Sequence, residues 1–144
     1  LIQALEENIY DFILVNIPNL DLAGHQTDFE LAKQTVSYID GIINKISKSI
    51  LELDASLIIT SDHGNIEEMF DYSKGIYDTK HNSNPVPFFL IDKGFYRKRT
   101  AQEIAFAEKQ AIGNLIDIAP TILEILNFKI PSQMTGQSLL KFCK

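Results

Sequence analysis

The stretch at residues 56–65 constrains the fold of this chain more than any other. An apolar run at 56–61 (Ser-Leu-Ile-Ile-Thr-Ser) is followed directly by Asp62, His63 and Gly64. A short run of β-branched residues favours a buried strand of an α/β sheet. Ligand sites in such sheets lie beyond the carboxyl ends of the strands, so Asp62 and His63 are candidate site residues. Both side chains can face one site only if the chain bends there, which Gly64 permits.

The composition excludes several functional classes. Hydrophobic residues make up 45% and charged residues 22% of the 144 positions, as in soluble globular domains. The net charge of −6 argues against nucleic-acid binding, and the basic residues at 93–99 are interpreted as a solvated surface first and an anion contact second. No apolar run approaches the roughly 20 residues of a membrane span, and the first residues given do not have the basic-then-apolar pattern expected of a secretory leader. With Cys143 as the single cysteine, we expect a cytoplasmic protein without nucleic-acid or membrane partners.

A strand, a helix and a second strand are predicted in the first half of the chain. Residues 9–17 are rich in β-branched and aromatic side chains and predict a strand, which Pro18 ends. Residues 19–25 are predicted to form a polar loop at its carboxyl end. Thr27 and Glu30 match the Thr-x-x-Glu pattern of a capping box, which predicts a helix start.

The apolar residues of this helix recur at alternating intervals of three and four. That spacing gives a single apolar stripe and predicts a helix that covers a sheet. The stripe consists of Phe29, Ala32, Val36, Ile39, Ile43, Ile46 and Ile50. A strand–helix–strand unit of this length implies a parallel strand pair with a right-handed crossover. The predicted fold class is therefore α/β with a mostly parallel sheet.

The second half of the chain continues with a long loop, a strand and a helix. Residues 64–84 form a polar connection that is longer than usual, and such loops are often functional. Residues 85–91 predict a third strand, because their prolines stand only at its start. Residues 92–110 are charged and are predicted to be irregular. A last helix is predicted over residues 117–126 with Asp117 as its cap, and residues 131–140 form a loop that ends in an apolar turn.

Side chains of the kinds that bind metals lie beside the predicted strand ends. They are Asp21, His25, Asp62, His63 and His81, which include all 3 histidines of the chain. Imidazole and carboxylate suit Mn²⁺, Zn²⁺, Co²⁺ or Mg²⁺, and the lack of thiolate ligands argues against a zinc finger. Gly24 is expected to let the backbone approach an ion. Each residue alone has an ordinary explanation, such as a cap or an exposed loop histidine. Together they can supply the ligands of two neighbouring metal ions, which are the apparatus of phosphoryl transfer.

Several short segments match known motifs in order and spacing. They are Asn-Leu-Asp-Leu-Ala-Gly-His-Gln-Thr at 19–27, Thr-Ser-Asp-His-Gly-Asn at 60–65 and His-Asn-Ser-Asn-Pro-Val-Pro at 81–87. They resemble successive motifs of cofactor-independent (2,3-bisphosphoglycerate-independent) phosphoglycerate mutase. The segments at 117–121 and 134–140 are similar to the C-terminal part of that family. Asp-His-Gly-Asn alone would indicate only the wider alkaline phosphatase superfamily.

The resemblance implies a fold, a cofactor set and a reaction. The fold is a three-layer αβα alkaline-phosphatase-like domain with a phosphotransferase domain inserted in it. Two ions, Mn²⁺ or similar, are implied, with Asp21, His25 and His81 on one and Asp62 and His63 on the other. The implied reaction interconverts 3- and 2-phosphoglycerate in glycolysis through a phosphorylated serine, in an enzyme that is a monomer.

The chain differs from that family in its extent. It starts at Leu1, and the family's enzymes are several times longer. Residues 1–144 are therefore expected to be the C-terminal portion of the phosphatase-like domain, without the inserted domain and without the nucleophilic serine. The isolated chain should lack mutase activity and expose apolar surface that the missing half covers. Two alternatives stay open: a phosphatase or sulfatase of the same superfamily, and a non-catalytic metal-binding or docking module.

Overall fold

The computed structural model describes residues 1–143 as an α/β arrangement. The helices are α1 (Ile2–Glu6), α2 (Asn19–Gly24), α3 (Phe29–Glu52), α4 (Ala101–Ala107) and α5 (Ile118–Ile125). The strands are β1 (Leu57–Thr60), β2 (Phe70–Asp71), β3 (Ile76–Tyr77) and β4 (Phe88–Ile91). The predicted α/β class is confirmed, as are the helix at α3, the strands at β1 and β4, and the helix at α5.

Helix α3 carries much of the core on the predicted apolar stripe. Ala32, Ile39, Ile46 and Ile50 are buried, and burying an isoleucine side chain contributes about 1.5–3 kcal/mol. The start of the helix differs from the prediction. Asp28, not Thr27, is the N-cap, because its carboxylate accepts a hydrogen bond from the Leu31 backbone N–H at 2.9 Å. A carboxylate at this end also interacts favourably with the helix dipole.

The strand pairing corrects the prediction of a mostly parallel sheet. Strand β1 pairs with β4 in antiparallel register, with Leu57 opposite Ile91 and Thr60 opposite Phe88. Strands β2 and β3 form an antiparallel hairpin within the long loop. Within residues 1–143 both strand pairs are therefore antiparallel, and the parallel strand–helix–strand unit is absent.

The predicted strand at residues 9–17 is wrong for the described part of the chain. The segment has no regular secondary structure, and no strand pair within residues 1–143 includes it. A strand is defined by hydrogen bonds to a neighbour, so β-rich composition is not sufficient without a partner. Its apolar side chains are exposed instead, with Ile9 at 68% and Leu14 at 83%.

Two helices lie where the sequence predicted irregular chain. Residues 19–24 form helix α2, not a polar loop, and Pro18 stands at its N-cap, where a missing N–H costs nothing. Helix α4 lies in the charged stretch after β4, and Thr100 and Glu103 form its capping box. The Thr-x-x-Glu pattern at residue 100 thus coincides with a helix start in a stretch that was predicted to be irregular, and the one at 27 misplaces its helix start by one residue.

The C-terminal loop docks onto the start of α5 through buried polar groups. Thr121 is fully buried, and its hydroxyl donates to the Asp117 carbonyl at 2.6 Å and accepts from the Leu139 N–H at 2.9 Å. The Asp117 carboxylate accepts from the backbone N–H groups of Gln137 at 2.7 Å and Asn114 at 2.8 Å. Asp117 is the N-cap residue of α5, as predicted. Its side chain makes no capping hydrogen bond to the helix and instead holds the neighbouring loops. In the part of the chain that is described, each helix is too short or too polar to cross a bilayer.

Candidate metal centre

Three predicted ligand residues meet beside the carboxyl end of β1. Asp21 lies in helix α2 and His25 is the residue that ends it, so their i,i+4 spacing places both side chains on one helix face. His81 comes from the long loop after β1. The side-chain ligand atoms of these residues form one cluster, and it is the only such metal-type cluster found among residues 1–143.

The ligand atoms form a nearly equilateral triangle. The Asp21 Oδ1 atom lies 3.3 Å from His25 Nε2 and 3.1 Å from His81 Nε2. The two Nε2 atoms are 3.0 Å apart. One ion bound at about 2.1 Å to three such atoms sets them about 3.0–3.4 Å apart in octahedral or tetrahedral geometry. The donor set and its spacing thus fit a single divalent ion.

The His25 ring is held in the orientation that a ligand needs. Its Nδ1 lies 2.6 Å from the Thr79 carbonyl oxygen. A carbonyl can only accept a hydrogen bond, so Nδ1 carries the proton and Nε2 of the neutral ring presents a lone pair to the cluster. Backbone carbonyls commonly orient metal-binding histidines in this way. Thr79 was not predicted, because a backbone carbonyl leaves no signal in the sequence.

The Asp21 carboxylate is held by Asn65, a residue that immediately follows Gly64. The Asn65 Nδ2 group donates to Asp21 Oδ1 at 3.1 Å, and Asn65 is only 5% exposed. Among residues 1–143, its Oδ1 atom is buried without a hydrogen-bond partner, which typically costs about 1–3 kcal/mol. Asn65 belongs to the Asp-His-Gly-Asn motif, but no role was predicted for it from the sequence.

Gly24 and Gly64, the glycines of the first two motifs, allow close packing against asparagine side chains. A Cβ atom at Gly24 would overlap the Asn65 side chain, and one at Gly64 would overlap the Asn82 side chain. Gly64 and Asn82 also form a backbone bridge, with N···O distances of 2.9 and 3.3 Å. Gly64 therefore brings His81 close to the end of β1, whereas the expected bend lies at Asp62 and His63.

Asp62 and His63 lie next to this cluster rather than inside it. The His63 ring stacks on His81 with 3.6 Å between ring centroids and 17° between planes. Asp62 Oδ1 lies 3.5 Å from His63 Nε2, and the Asp62 side chain is 86% exposed. Asp62 and His63 are thus placed where a second metal site beside the first would need them. Within residues 1–143, they are too few ligands to form a complete site.

The cluster is open to solvent on one side. The exposed fractions of the Asp21, His25 and His81 side chains are 37%, 38% and 48%. Catalytic metal sites keep a coordination position open for water or substrate, whereas structural sites are closed. The three side chains therefore leave room at the cluster for further ligands from water, a substrate or other parts of the protein.

An α/β fold with such a centre beside a strand end is the arrangement of a metal-dependent enzyme domain. A family model described as the metalloenzyme superfamily matches residues 1–130. The chain therefore belongs to the metalloenzyme superfamily.

Curated relatives and a solved structure resemble nearly the whole chain. The 2,3-bisphosphoglycerate-independent phosphoglycerate mutase of Clostridium botulinum (strain ATCC 19397 / Type A) is 42% identical over 141 residues, which are 98% of this chain and 26% of that protein. The corresponding enzyme of Clostridium tetani is 41% identical over 140 residues, with 97% and 26% coverage.

The solved structure is a Leishmania mexicana phosphoglycerate mutase crystallised at low cobalt concentration. It has a TM-score of 0.75 and 25% identity, and the match covers 94% of this chain and 26% of that one. The predicted phosphatase-like fold is thus confirmed by the likeness to a phosphoglycerate mutase. The chain spans about a quarter of the length of the relatives it matches. Because these relatives are mutases, the phosphatase or sulfatase alternative is not favoured.

Proposed function

We propose that this chain is the metal-binding part of a 2,3-bisphosphoglycerate-independent phosphoglycerate mutase. Its substrates would be 3- and 2-phosphoglycerate, which the enzyme interconverts in glycolysis in the cytoplasm. The observation that carries the proposal is the Asp21–His25–His81 triangle in a chain 42% identical to a mutase of this kind.

Two divalent ions are proposed, with Mn²⁺ as the first choice and Zn²⁺, Co²⁺ or Mg²⁺ compatible with the same donors. Asp21, His25 and His81 would hold one ion, and Asp62 and His63 would supply part of the other site. When bound, the ions would stabilise negative charge on the phosphoryl group and favour the deprotonated form of a serine hydroxyl.

The residues of the chain contribute chiefly through fixed positions. The Thr79 carbonyl fixes the His25 tautomer, so this ligand needs little reorganisation on binding. The Asp21 charge offsets part of the charge of an ion, while the open side of the cluster admits a phosphate or hydroxyl oxygen of the substrate. Catalysis by positioning and charge stabilisation is what phosphoryl transfer requires.

The remainder of the same domain is proposed to complete the site. The nucleophilic serine and the missing ligands of the second ion would come from parts of the enzyme outside residues 1–144. The exposed apolar side chains of residues 9–17 would pack against that remainder, and the complete enzyme would be a monomer. The isolated chain should therefore have no mutase turnover, whatever its affinity for metal.

The proposal can be tested in a chimera. This chain replaces the 141 aligned residues of the Clostridium botulinum mutase, and conversion of 3-phosphoglycerate is followed with a coupled assay. We expect turnover with Mn²⁺ in the chimera and its loss, by at least about 100-fold, when His81→Ala removes a ligand. The matched control is Asn44→Ala, an exposed position on α3 far along the chain from the ligands.

Two results would contradict the proposal. One is a folded, Mn²⁺-binding chimera that hydrolyses phosphate esters but does not interconvert phosphoglycerates, which would favour a phosphatase. The other is robust turnover by the isolated chain that Asp62→Ala abolishes, because that would require a nucleophile within residues 1–144.

A further inference from the structure

We propose that Asn65 is a positioning residue that fixes Asp21 as a metal ligand through its side-chain amide. The proposal rests on the proposed metal centre and concerns how that centre is preorganised. Asn65 is not itself offered as a ligand or as a catalytic residue.

The contact from Asn65 to the Asp21 carboxylate differs in kind from the other contacts of that carboxylate. His25 and His81 approach Asp21 with Nε2 atoms that would turn to a bound ion. The Asn65 Nδ2 group, at 3.1 Å, is a hydrogen-bond donor with no lone pair for a metal, so it can keep holding Asp21 Oδ1 while the ion binds. Donors of this type that hold a ligating carboxylate are part of the function of metal sites.

The orientation of the Asn65 amide supports a specific role. A rotation of the amide by half a turn would point Oδ1 at the Asp21 carboxylate, where two acceptor oxygens repel each other. The structure instead directs Nδ2 to Asp21 and leaves Oδ1 buried without a partner among residues 1–143. Among residues 1–143, the Asp21 carboxylate is therefore the hydrogen-bond partner of the Asn65 amide.

Asn65 is itself fixed from two directions. Its backbone N–H donates to the Glu67 carboxylate at 2.8 Å, and the Asn84 side chain donates to the other Glu67 oxygen at 3.0 Å. Burial raises the pKa of Glu67, but hydrogen bonds from its own backbone, Asn82, Asn65 and Asn84 outweigh this, so the pKa is lowered and Glu67 stays charged. Gly24 also packs so closely that a Cβ atom there would overlap the Asn65 amide.

The packing between Gly24 and Asn65 provides a sharp test. Asn65→Ala removes the donor and leaves space, and Gly24→Ala fills the same space and displaces the amide. We expect each single variant to weaken Mn²⁺ binding by about 10- to 100-fold in calorimetry of the full chain. In the double variant the methyl group introduced at position 24 occupies the space that the Asn65 amide leaves, so the melting temperature should recover while the Mn²⁺ affinity should not.

The outcomes separate the positioning role from packing and from the metal centre itself. Recovery of both melting temperature and affinity in the double variant would show that Asn65 only fills space, and would overturn the inference. Unchanged Mn²⁺ affinity in Asn65→Ala would also overturn the inference about Asn65. If the wild-type chain binds Mn²⁺ in the same experiment, the proposed metal centre is still supported. A wild-type chain that binds no Mn²⁺ would instead refute the proposed centre and the role of Asn65 with it. Asn44→Ala, at an exposed helix position, should match the wild type throughout.

Discussion

At the scale of single residues, Asp117 links pH to stability. Hydrogen bonds from the Gln137 and Asn114 N–H groups lower the pKa of this carboxyl in the folded chain, with a smaller contribution from Lys141, and burial opposes them. Because the folded pKa lies below the ordinary value, the charged form stabilises the fold above that ordinary value. This stabilisation is lost as the pH falls through the lower folded pKa.

We expect Asp117→Asn to lower the melting temperature at neutral pH, because an amide has a single oxygen to accept both N–H groups. The difference between wild type and variant should shrink as the pH falls below about 4. Thermal unfolding followed by circular dichroism from neutral to acidic pH checks this, with Asp40→Asn, on the exposed face of α3, as the control. A difference that stays constant across that range would contradict the assigned role of the carboxylate.

Residue chemistry also shows how far the candidate site could be predicted from the sequence. Asp21, His25 and His81 were predicted as ligands from their residue types and from the motifs that contain them, and the structure brings their ligand atoms together. The groups that orient them, the Thr79 carbonyl and the Asn65 amide, were not predicted. A backbone carbonyl is present in every residue, and an asparagine in a polar loop has many ordinary roles.

At the scale of elements, the docking of the C-terminal loop onto α5 depends on a glycine. A Cβ atom at Gly136 would overlap the backbone carbonyl of Ile116 and come within 3.0 Å of Asp117 Oδ1. We expect Gly136→Ala to lower the free energy of unfolding by about 1–3 kcal/mol, because the loop must move away from α5.

Gly41→Ala is the matched control for that change. Gly41 lies inside α3, and nothing lies within 4 Å of the position of an added Cβ. Alanine there should raise the free energy of unfolding by up to about 1 kcal/mol, through helix propensity alone. Urea unfolding of both variants checks the pair, and equal stabilities for Gly136→Ala and the wild type would show that the loop is not held as described.

Elements were predictable where a local pattern determines them. The alternating apolar stripe predicted α3, and the β-branched run predicted β1, because each pattern is contained in one short stretch of sequence. The segment at 9–17 has the composition of a strand but no partner within residues 1–143, so its prediction failed. Strand pairing is a long-range property, so the antiparallel β1–β4 pair could not be predicted from local sequence either.

At the scale of the whole molecule, the exposed apolar segment at 9–17 should govern the behaviour of the isolated chain. Leu14 is 83% exposed within a run of exposed apolar side chains, whereas Tyr72, at 90%, is at the tip of the β2–β3 hairpin. We expect Leu14→Lys to reduce the binding of an apolar fluorescent dye and concentration-dependent association, and Tyr72→Lys to change both much less. Equal effects of the two substitutions in dye fluorescence and gel filtration would show that the segment is not a special surface.

A single Mn²⁺ titration can show whether Asp21, His25 and His81 form a preorganised metal centre. Mn²⁺ is titrated by calorimetry into the chelator-stripped chain and into its His81→Ala variant. We expect one well-defined site in the wild type that is lost or weakened at least about 100-fold in the variant, with the fold intact by circular dichroism. Equal binding by both proteins, or no binding by a folded wild type, would contradict it.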